Sequence, residues 1–494
     1  MDKEVSLSMV QSVIWLTLAS LAMRAVSMYF QVYLSGQIGA AGLGLMQLIM
    51  TVHAFAITVG TSGIRVAAMY LPAEEYGHKR FSGIRTAMVW CIGTGLLLSS
   101  IVGTIMTLAA QPLAVQWVKD IRAAASLRLL GMTLPLTCLS SVLGGYFTAC
   151  GKIKKLVIIE ILDRIATVGS TIWLLRRGMK GDLSHACVSI VAGGALASLG
   201  SAAALFFFML RDLRKYPKSD DLRPMGSRLL RFCVPVALND YLRSGLGTLE
   251  QFLIPYGLAK CGGSRTKALA DYGTIQGMVF PILMFLSTVL FSVADLLVPR
   301  LARCKAQKDT ARLRSLTTRC LQTSYLFSAA VAGAVYVLAL PLGQLFYHSA
   351  DAGRYLKIFA PLLPVLYLDC IIDGMHKGLG EQIYCVRVNT LTNLLDVIGL
   401  FLLLPRFGIG GYFFTYVTTH VINFFLSFRR LSRVTGYLPD LRFLLTVILC
   451  VCTSAGFCAL FLPAEPAWST LFLNGGIYLV IAALLFVLTD KKHA

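Results

Sequence analysis

The sequence predicts an all-α polytopic membrane protein of about fourteen transmembrane helices, arranged as two pseudo-symmetric six-helix lobes followed by a C-terminal helix pair. Three observations carry this. Long apolar stretches succeed one another along 494 residues that are 56% hydrophobic and only 14% charged, with a mean hydropathy of +0.72. Arginine and lysine concentrate in alternate gaps between the stretches, and the second half of the chain echoes the first at a shift of 229 residues.

The apolar stretches lie near residues 10–34, 42–71, 86–108, 127–150, 156–175, 184–210, 229–258, 274–298, 321–345, 356–379, 384–404, 409–428, 443–462 and 467–489. At ~1.5 Å per residue each can cross a hydrocarbon core of ~30 Å, and because lipid offers the backbone no hydrogen-bond partners they must be helical. The first resembles a signal peptide in position, but its length and the internal Arg24 mark it as a retained span.

Both termini and the gaps after even-numbered spans hold more than twice as many of the 45 basic residues as the gaps after odd-numbered spans. The positive-inside rule then places both termini in the cytoplasm. One gap dissents, since Arg176, Arg177 and Lys180 would face outward. The net charge of +21 is on this reading a topology signal. Its spread over many short loops argues against nucleic-acid binding.

The most polar connection follows span six and divides the chain into an N-lobe (1–210), a cytoplasmic linker (211–228), a C-lobe (229–428) and a C-terminal helix pair (429–494). The shift of 229 aligns Gly44 with Gly273, Gln47 with Gln276, Pro135 with Pro364, Gly145 with Gly374 and Gly151 with Gly380, among others. Matching order of spans and kinks makes the repeat parallel rather than inverted.

Transporters of this build hold substrate between lobes, which directs attention to polar helix faces. Span one carries Thr17, Ser20, Arg24, Ser27 and Gln31 on one face; span two adds Gln47, Thr51, Thr58, Ser62 and Arg65; span seven adds Asp240, Arg243, Gly247 and Glu250. An arginine at mid-span costs about 2.5–3.5 kcal/mol on insertion scales and faces protein or water. Three of them on such faces suit an anionic ligand. The alternative is pairing within the bundle: Arg243 has Asp240 and Glu250 on its own helix, Arg65 lies near a span end from which it can snorkel, and Arg24 has no acid in its span.

In the second lobe, Asp369, Asp373 and His376, then Asn389, Asn393 and Asp396, then Thr415, Thr419 and Asn423 form one polar face on each of three spans. Oxygen-rich faces of this kind suit a coupling cation, either Na⁺ or a proton, with interhelical hydrogen bonding as the alternative. His376, beside Lys377, reads as a residue of the membrane surface. Pro135, Pro235, Pro255, Pro281, Pro361 and Pro364 mark expected bends.

Enzyme chemistry finds no support. There is no phosphate-binding glycine loop, nucleophile elbow or zinc-binding histidine pair, and most of the thirteen cysteines fall inside apolar spans. Neither a catalytic site, a structural metal nor a cofactor beyond the coupling ion is expected.

The pattern LAMRAVSMYFQVYLSGQIGAAGLGLMQ in span one, LGGYFTACGKIKK at the end of span four and its counterpart LDCIIDGMHKGLGEQ resemble the stage V sporulation protein B and polysaccharide exporter branch of the multidrug/oligosaccharidyl-lipid/polysaccharide exporter superfamily. That resemblance implies an alternating-access flippase for undecaprenyl-diphosphate-linked sugars, monomeric, in the bacterial inner membrane. It implies that Arg24, Arg65 and Arg243 hold the diphosphate, with Gln31, Gln47 and Glu250 on the same faces, and that Asp240, Asn393, Asp396 and Thr419 lie on the helices of a sodium site. After span one the chain reads GQIGAAGLG, without the acidic residue that lipid II flippases carry there. Two other readings stay open. A drug/cation antiporter of the multidrug and toxic compound extrusion type calls for an acidic pocket and a twelve-helix core, and a non-transporting scaffold needs no polar interior.

Overall fold

The computed structural model describes residues 2–61, 63–77, 81–178, 182–214, 223–262, 264–462 and 466–490, with side chains from residue 20 onward except at 77, 81, 178, 223, 224, 488 and 490. Sixteen helices of ten or more residues make up the fold, with no strand among the described residues. They are α1 (Asp2–Thr61), α2 (Ile64–Gly77), α3 (Phe81–Leu108), α4 (Ala124–Ala149), α5 (Ile153–Gly178), α6 (Leu183–Leu213), α7 (Arg223–Lys260) and α8 (Arg265–Thr274). There follow α9 (Ser287–Ala306), α10 (Thr310–Tyr347), α11 (Ala350–Phe359), α12 (Leu363–Gly378), α13 (Gln382–Phe407), α14 (Ile409–Thr435), α15 (Leu441–Phe461) and α16 (Trp468–Asp490).

Among the described residues nine helices are long and apolar enough to cross a membrane, or ten when a bent pair is taken as one span. The remaining expected spans are explained by chemistry. The segment α1 is two helices joined at a kink at Gly39, with span one before it and most of span two after it, the rest of span two falling in α2. α5 and α7 carry charges inside their apolar windows (Glu160, Asp163 and Arg164; Asp240, Arg243 and Glu250), and α14 carries His420 and Asn423. The chain is an all-α polytopic membrane protein.

Breaks in the helices fall at glycines as well as at prolines. Gly39 has φ 68° and ψ 178°, a conformation that a side chain makes costly. Gly63 has φ 76°, and a Cβ there would stand 2.6 Å from the Cys233 carbonyl oxygen, so no other residue fits. A third break separates Arg265–Leu283 from Ser287–Ala306 with a bend of 58°, just after Pro281. Pro361 and Pro364 flank a short turn between α11 and α12. Pro135, Pro235 and Pro255 lie inside α4 and α7, which stay helical on both sides of them.

By contacts the chain divides into two compact units, Gly42–Leu253 and Met1–Ala41 with Ile254–Ala494. In Gly42–Leu253, α4 packs on α2, α3 and α6, and α5 lies along α6. The core joins Leu71, Met88, Tyr146 and Phe147 to Met209, Leu229 and Cys233. Close approach depends on missing side chains: a Cβ at Gly103 would meet the Gly131 carbonyl at 2.4 Å, and one at Gly193 would meet Thr171 at 2.3 Å. In the other unit α12 packs on α9, α10 and α14, α13 lies along α14, and α15 and α16 rest on α10 through Ala455, Cys458 and Tyr478.

The repeat is visible in the backbone itself. Lys119 (φ 55°) and His348 (φ 50°) both turn left-handed, and the next residue of each, Asp120 and Ser349, caps the following helix. Gly151 (φ 69°) and Gly380 (φ 70°) end the equivalent helices. Gly145 lies against Arg65 and Ala68, while Gly374 lies against Ala294, so the same helix pairs approach through the same small residue. Positive φ at a residue other than glycine is uncommon, and its recurrence at one offset is not a product of membrane composition.

The connection 211–228 is described only at its two ends, with residues 215–222 outside the described residues, as is Lys180. Of the dissenting basic group, Arg177 lies over the Trp173 ring at 4.2 Å, an arrangement that suits an interfacial position.

Candidate functional site

The unit Gly42–Leu253 has a pocket of about 580 Å³ that is open on one side. The last turns of α1 supply Ile57, Thr58 and Thr61; the first turns of α2 supply Arg65, Val66 and Met69; α4 supplies Ser141; α7 supplies Asp240, Arg243 and Ser244. Gly63 lines it too. The break at that glycine gives the wall its character, because it starts a new helix beside the cavity and puts Arg65 in its first turn, where the helix dipole is positive.

α7 is fastened along this wall. The Tyr241 hydroxyl donates to the Val59 carbonyl at 3.1 Å and the Ser244 hydroxyl to Thr58 Oγ1 at 3.2 Å. Further down, Cys233 closes on Gly63 and Phe232 stacks on Tyr70 at 4.9 Å. At its start Arg228 bridges Glu75 at 2.7 Å and Glu74 at 2.8 Å. The bond to Glu75 pushes the Arg228 guanidinium up from its ordinary value, so this clamp stays charged.

Two guanidinium groups against one carboxylate make the cavity wall cationic. Arg65 and Arg243 are both exposed, and Arg65 also interacts electrostatically with Glu160 on α5. Asp240 is half-buried and interacts with its surroundings. Gln47 and Glu250, in the same unit, are half-buried and do not line the cavity. Arg24 and Gln31 belong to the other unit, half-buried on α1, and the Arg24 charge bears on Tyr367, whose hydroxyl donates to the Leu283 carbonyl at 2.6 Å. The side chain of Thr17, and Ser62, lie outside the described residues.

The expected cation residues divide between the units. Asp240 lines the cavity just described, whereas Asp396 and Thr419 meet in the other unit, with the Thr419 hydroxyl donating to Asp396 Oδ1 at 2.9 Å. Both are about 95% buried, and Asn393 is half-buried one turn before Asp396. Next to this pair Asn423 Nδ2 donates to Asp369 Oδ2 at 2.8 Å, and the Cys385 thiol donates to Asp373 at 2.7 Å. His376 corrects its expected surface position: it is fully buried, with Nε2 at 3.0 Å from the Ser427 carbonyl. Among the described residues no group of three His, Cys, Asp or Glu side chains is placed to hold a metal ion. Sequence reasoning missed the Arg228 clamp, counting that arginine only as a loop charge; the acidic pair Glu74–Glu75 at a basic membrane edge was its available signal.

A polytopic helical fold with an internal repeat and an open pocket bearing two arginines and an aspartate has the build of a membrane transporter. Residues 9–305 match the model of the polysaccharide biosynthesis protein family, and the chain belongs to that family. Residues 268–402 match the MatE family as well. Stage V sporulation protein B of Bacillus subtilis (strain 168) is 23% identical over 434 residues, covering 84% of this chain and 82% of that protein. Sporulation protein YkvU of the same organism is 23% identical over 253 residues, 49% of this chain and 56% of its own. Among solved structures, lipid II flippase MurJ in its inward closed conformation has a TM-score of 0.73 at 13% identity over 97% of this chain and 99% of that one. An inward-facing multidrug resistance MATE family transporter has a TM-score of 0.65 at 16% identity, covering 84% and 96%. The structural likenesses establish the fold, and together with the family match they make the chain a membrane flippase or exporter.

Proposed function

We propose that the protein moves an undecaprenyl-diphosphate-linked oligosaccharide, a peptidoglycan precursor or another cell-envelope polysaccharide intermediate, across the bacterial cytoplasmic membrane by alternating access. The observation that supports this most is the cavity bearing Arg243 and, at the start of α2, Arg65. A lipid-linked diphosphate has a charged head that hydrocarbon excludes and a tail that can stay in lipid, so a cationic cleft within the bundle answers its whole difficulty. Arginine suits the head because its planar fork holds phosphate oxygens in pairs. Arg24, Gln31, Gln47 and Glu250 are proposed to contact other parts of the substrate. Asp240, Asn393, Asp396 and Thr419 are proposed to couple transport to Na⁺ or H⁺, a reading supported by the bonded Asp396–Thr419 pair. The protein acts as a monomer with both termini in the cytoplasm.

The antiporter reading draws on the MatE match, but a cavity with two arginines repels the cationic drugs it requires. Binding of undecaprenyl diphosphate to purified protein tests the proposal. Losing one charge-assisted phosphate contact costs about 1.5–3 kcal/mol, so Arg243→Ala and Arg65→Ala should each weaken binding roughly 10- to 100-fold. Arg243→Lys should recover part of it. Unchanged affinity in both alanine variants would remove this cavity from the mechanism.

A further inference from the structure

We propose that Asp369 and Asn423 form a proton-binding site, in which a protonated Asp369 and the Asn423 amide close a cyclic acid–amide pair between α12 and α14. The starting point is an incomplete pair. Asn423 Nδ2 donates to Asp369 Oδ2 at 2.8 Å, which brings the two planar heads together. The remaining oxygens, Asp369 Oδ1 and Asn423 Oδ1, are buried and have no hydrogen-bond partner. Asn423 is only 8% exposed, so water does not readily complete it.

Two buried acceptors left without a donor are each costly, because neither regains the hydrogen bond it gave up with water. A single proton taken from water onto Asp369 Oδ1 removes both deficits, because the acid O–H donates to Asn423 Oδ1 while the amide N–H keeps its bond to Oδ2. No second group has to move. Asp396 differs in this respect, since its carboxylate already receives the Thr419 hydroxyl and has no buried orphan oxygen among the described residues.

The titratable groups around Asp369 favour the same state. Asp373, one turn along α12, lies within electrostatic reach, and two carboxylates so placed repel when both are ionised. Cys370 on α12 and Cys385 on α13 also interact with Asp369, and Asp295 on α9 and Lys377 on α12 interact with Cys370. From α10, Phe327 stacks on Tyr367 and presents an apolar ring to this part of α12. Loss of the proton restores the charge and removes one of the two bonds within the pair, leaving α12 and α14 joined there by the other and by the His376–Ser427 contact. That the proton drives transport rests on the flippase reading; that it is bound at Asp369 does not.

Infrared spectroscopy of the whole purified protein in lipid vesicles, with isotope-labelled aspartate and no substrate, separates the two statements. The expected result is a protonated-carboxyl band at neutral pH that disappears as pH rises and is missing in Asp369→Asn. In Asn423→Ala the band should persist but shift, as the acid loses its acceptor, which keeps the test intact if the first variant folds poorly. A band unaffected by either substitution, or none at neutral pH, overturns the proposal. So does a band that sodium chloride abolishes at constant pH, which would make the site one for Na⁺. Failure of flipping assays with the band intact would count against the transport reading alone.

Discussion

Replacing Arg228 by alanine is expected to loosen the start of α7 from α2 by about 2 kcal/mol. The guanidinium spans two carboxylates, at 2.7 Å and 2.8 Å, and the Glu75 side chain is only 6% exposed whereas Arg228 is 38% exposed. Truncating one partner of a fully buried pair costs about 3–5 kcal/mol, and a fully exposed pair is worth about 0–1 kcal/mol. A pair buried at one end falls between the two. Cys233, buried against Gly63 one helical stretch further on, reports whether that end of α7 has opened. In a variant whose other cysteines are replaced, Arg228→Ala should speed thiol labelling of Cys233 about 30-fold, the equivalent of 2 kcal/mol. Glu75→Gln should speed it as well, and the double variant should fall short of the summed effect by about 1 kcal/mol or more. A coupling below about 0.5 kcal/mol would show that the contact does not hold α7, and the clamp would have to be abandoned.

Gly103→Ala would place a methyl group 2.4 Å from the Gly131 carbonyl, so it should lower the thermal midpoint of the purified protein by an amount matching about 1–3 kcal/mol of overpacking. Gly36→Ala, with open space around its Cβ, is the control and should leave the midpoint unchanged or raised. Cysteines introduced into the connection 211–228 should react with an impermeant reagent only after the cell is opened, and labelling from outside would overturn the orientation drawn from the basic residues.

Much of the architecture was legible because membrane spans obey a simple rule of length and apolarity, and the 229-residue shift located glycines that the fold then uses twice, as at Gly151 and Gly380. Helix breaks were less legible. Proline was the natural guide, yet Pro135 and Pro235 sit within continuous helices, while Gly63 breaks one because the backbone of Cys233 occupies the place of a side chain. That contact joins residues 170 positions apart, and no local pattern encodes it. Periodicity placed Arg65 and Arg243 on polar faces, and both line one cavity. It placed Asp369 and Asn423 on such faces as well, but their bond depends on how α12 and α14 cross, which spacing along either helix does not specify.

The proposed cargo is a lipid-linked diphosphate sugar. Purified protein reconstituted into vesicles, with a fluorescent undecaprenyl-diphosphate oligosaccharide in both leaflets and a membrane-impermeant quencher or hydrolase outside, measures its movement directly. The protected inner-leaflet fraction should become accessible with wild-type protein and stay protected with Arg65→Ala/Arg243→Ala. Continued protection with wild-type protein across sodium and proton gradients of either direction, in vesicles where the same protein exchanges a cationic dye for protons, would contradict it and establish the antiporter instead.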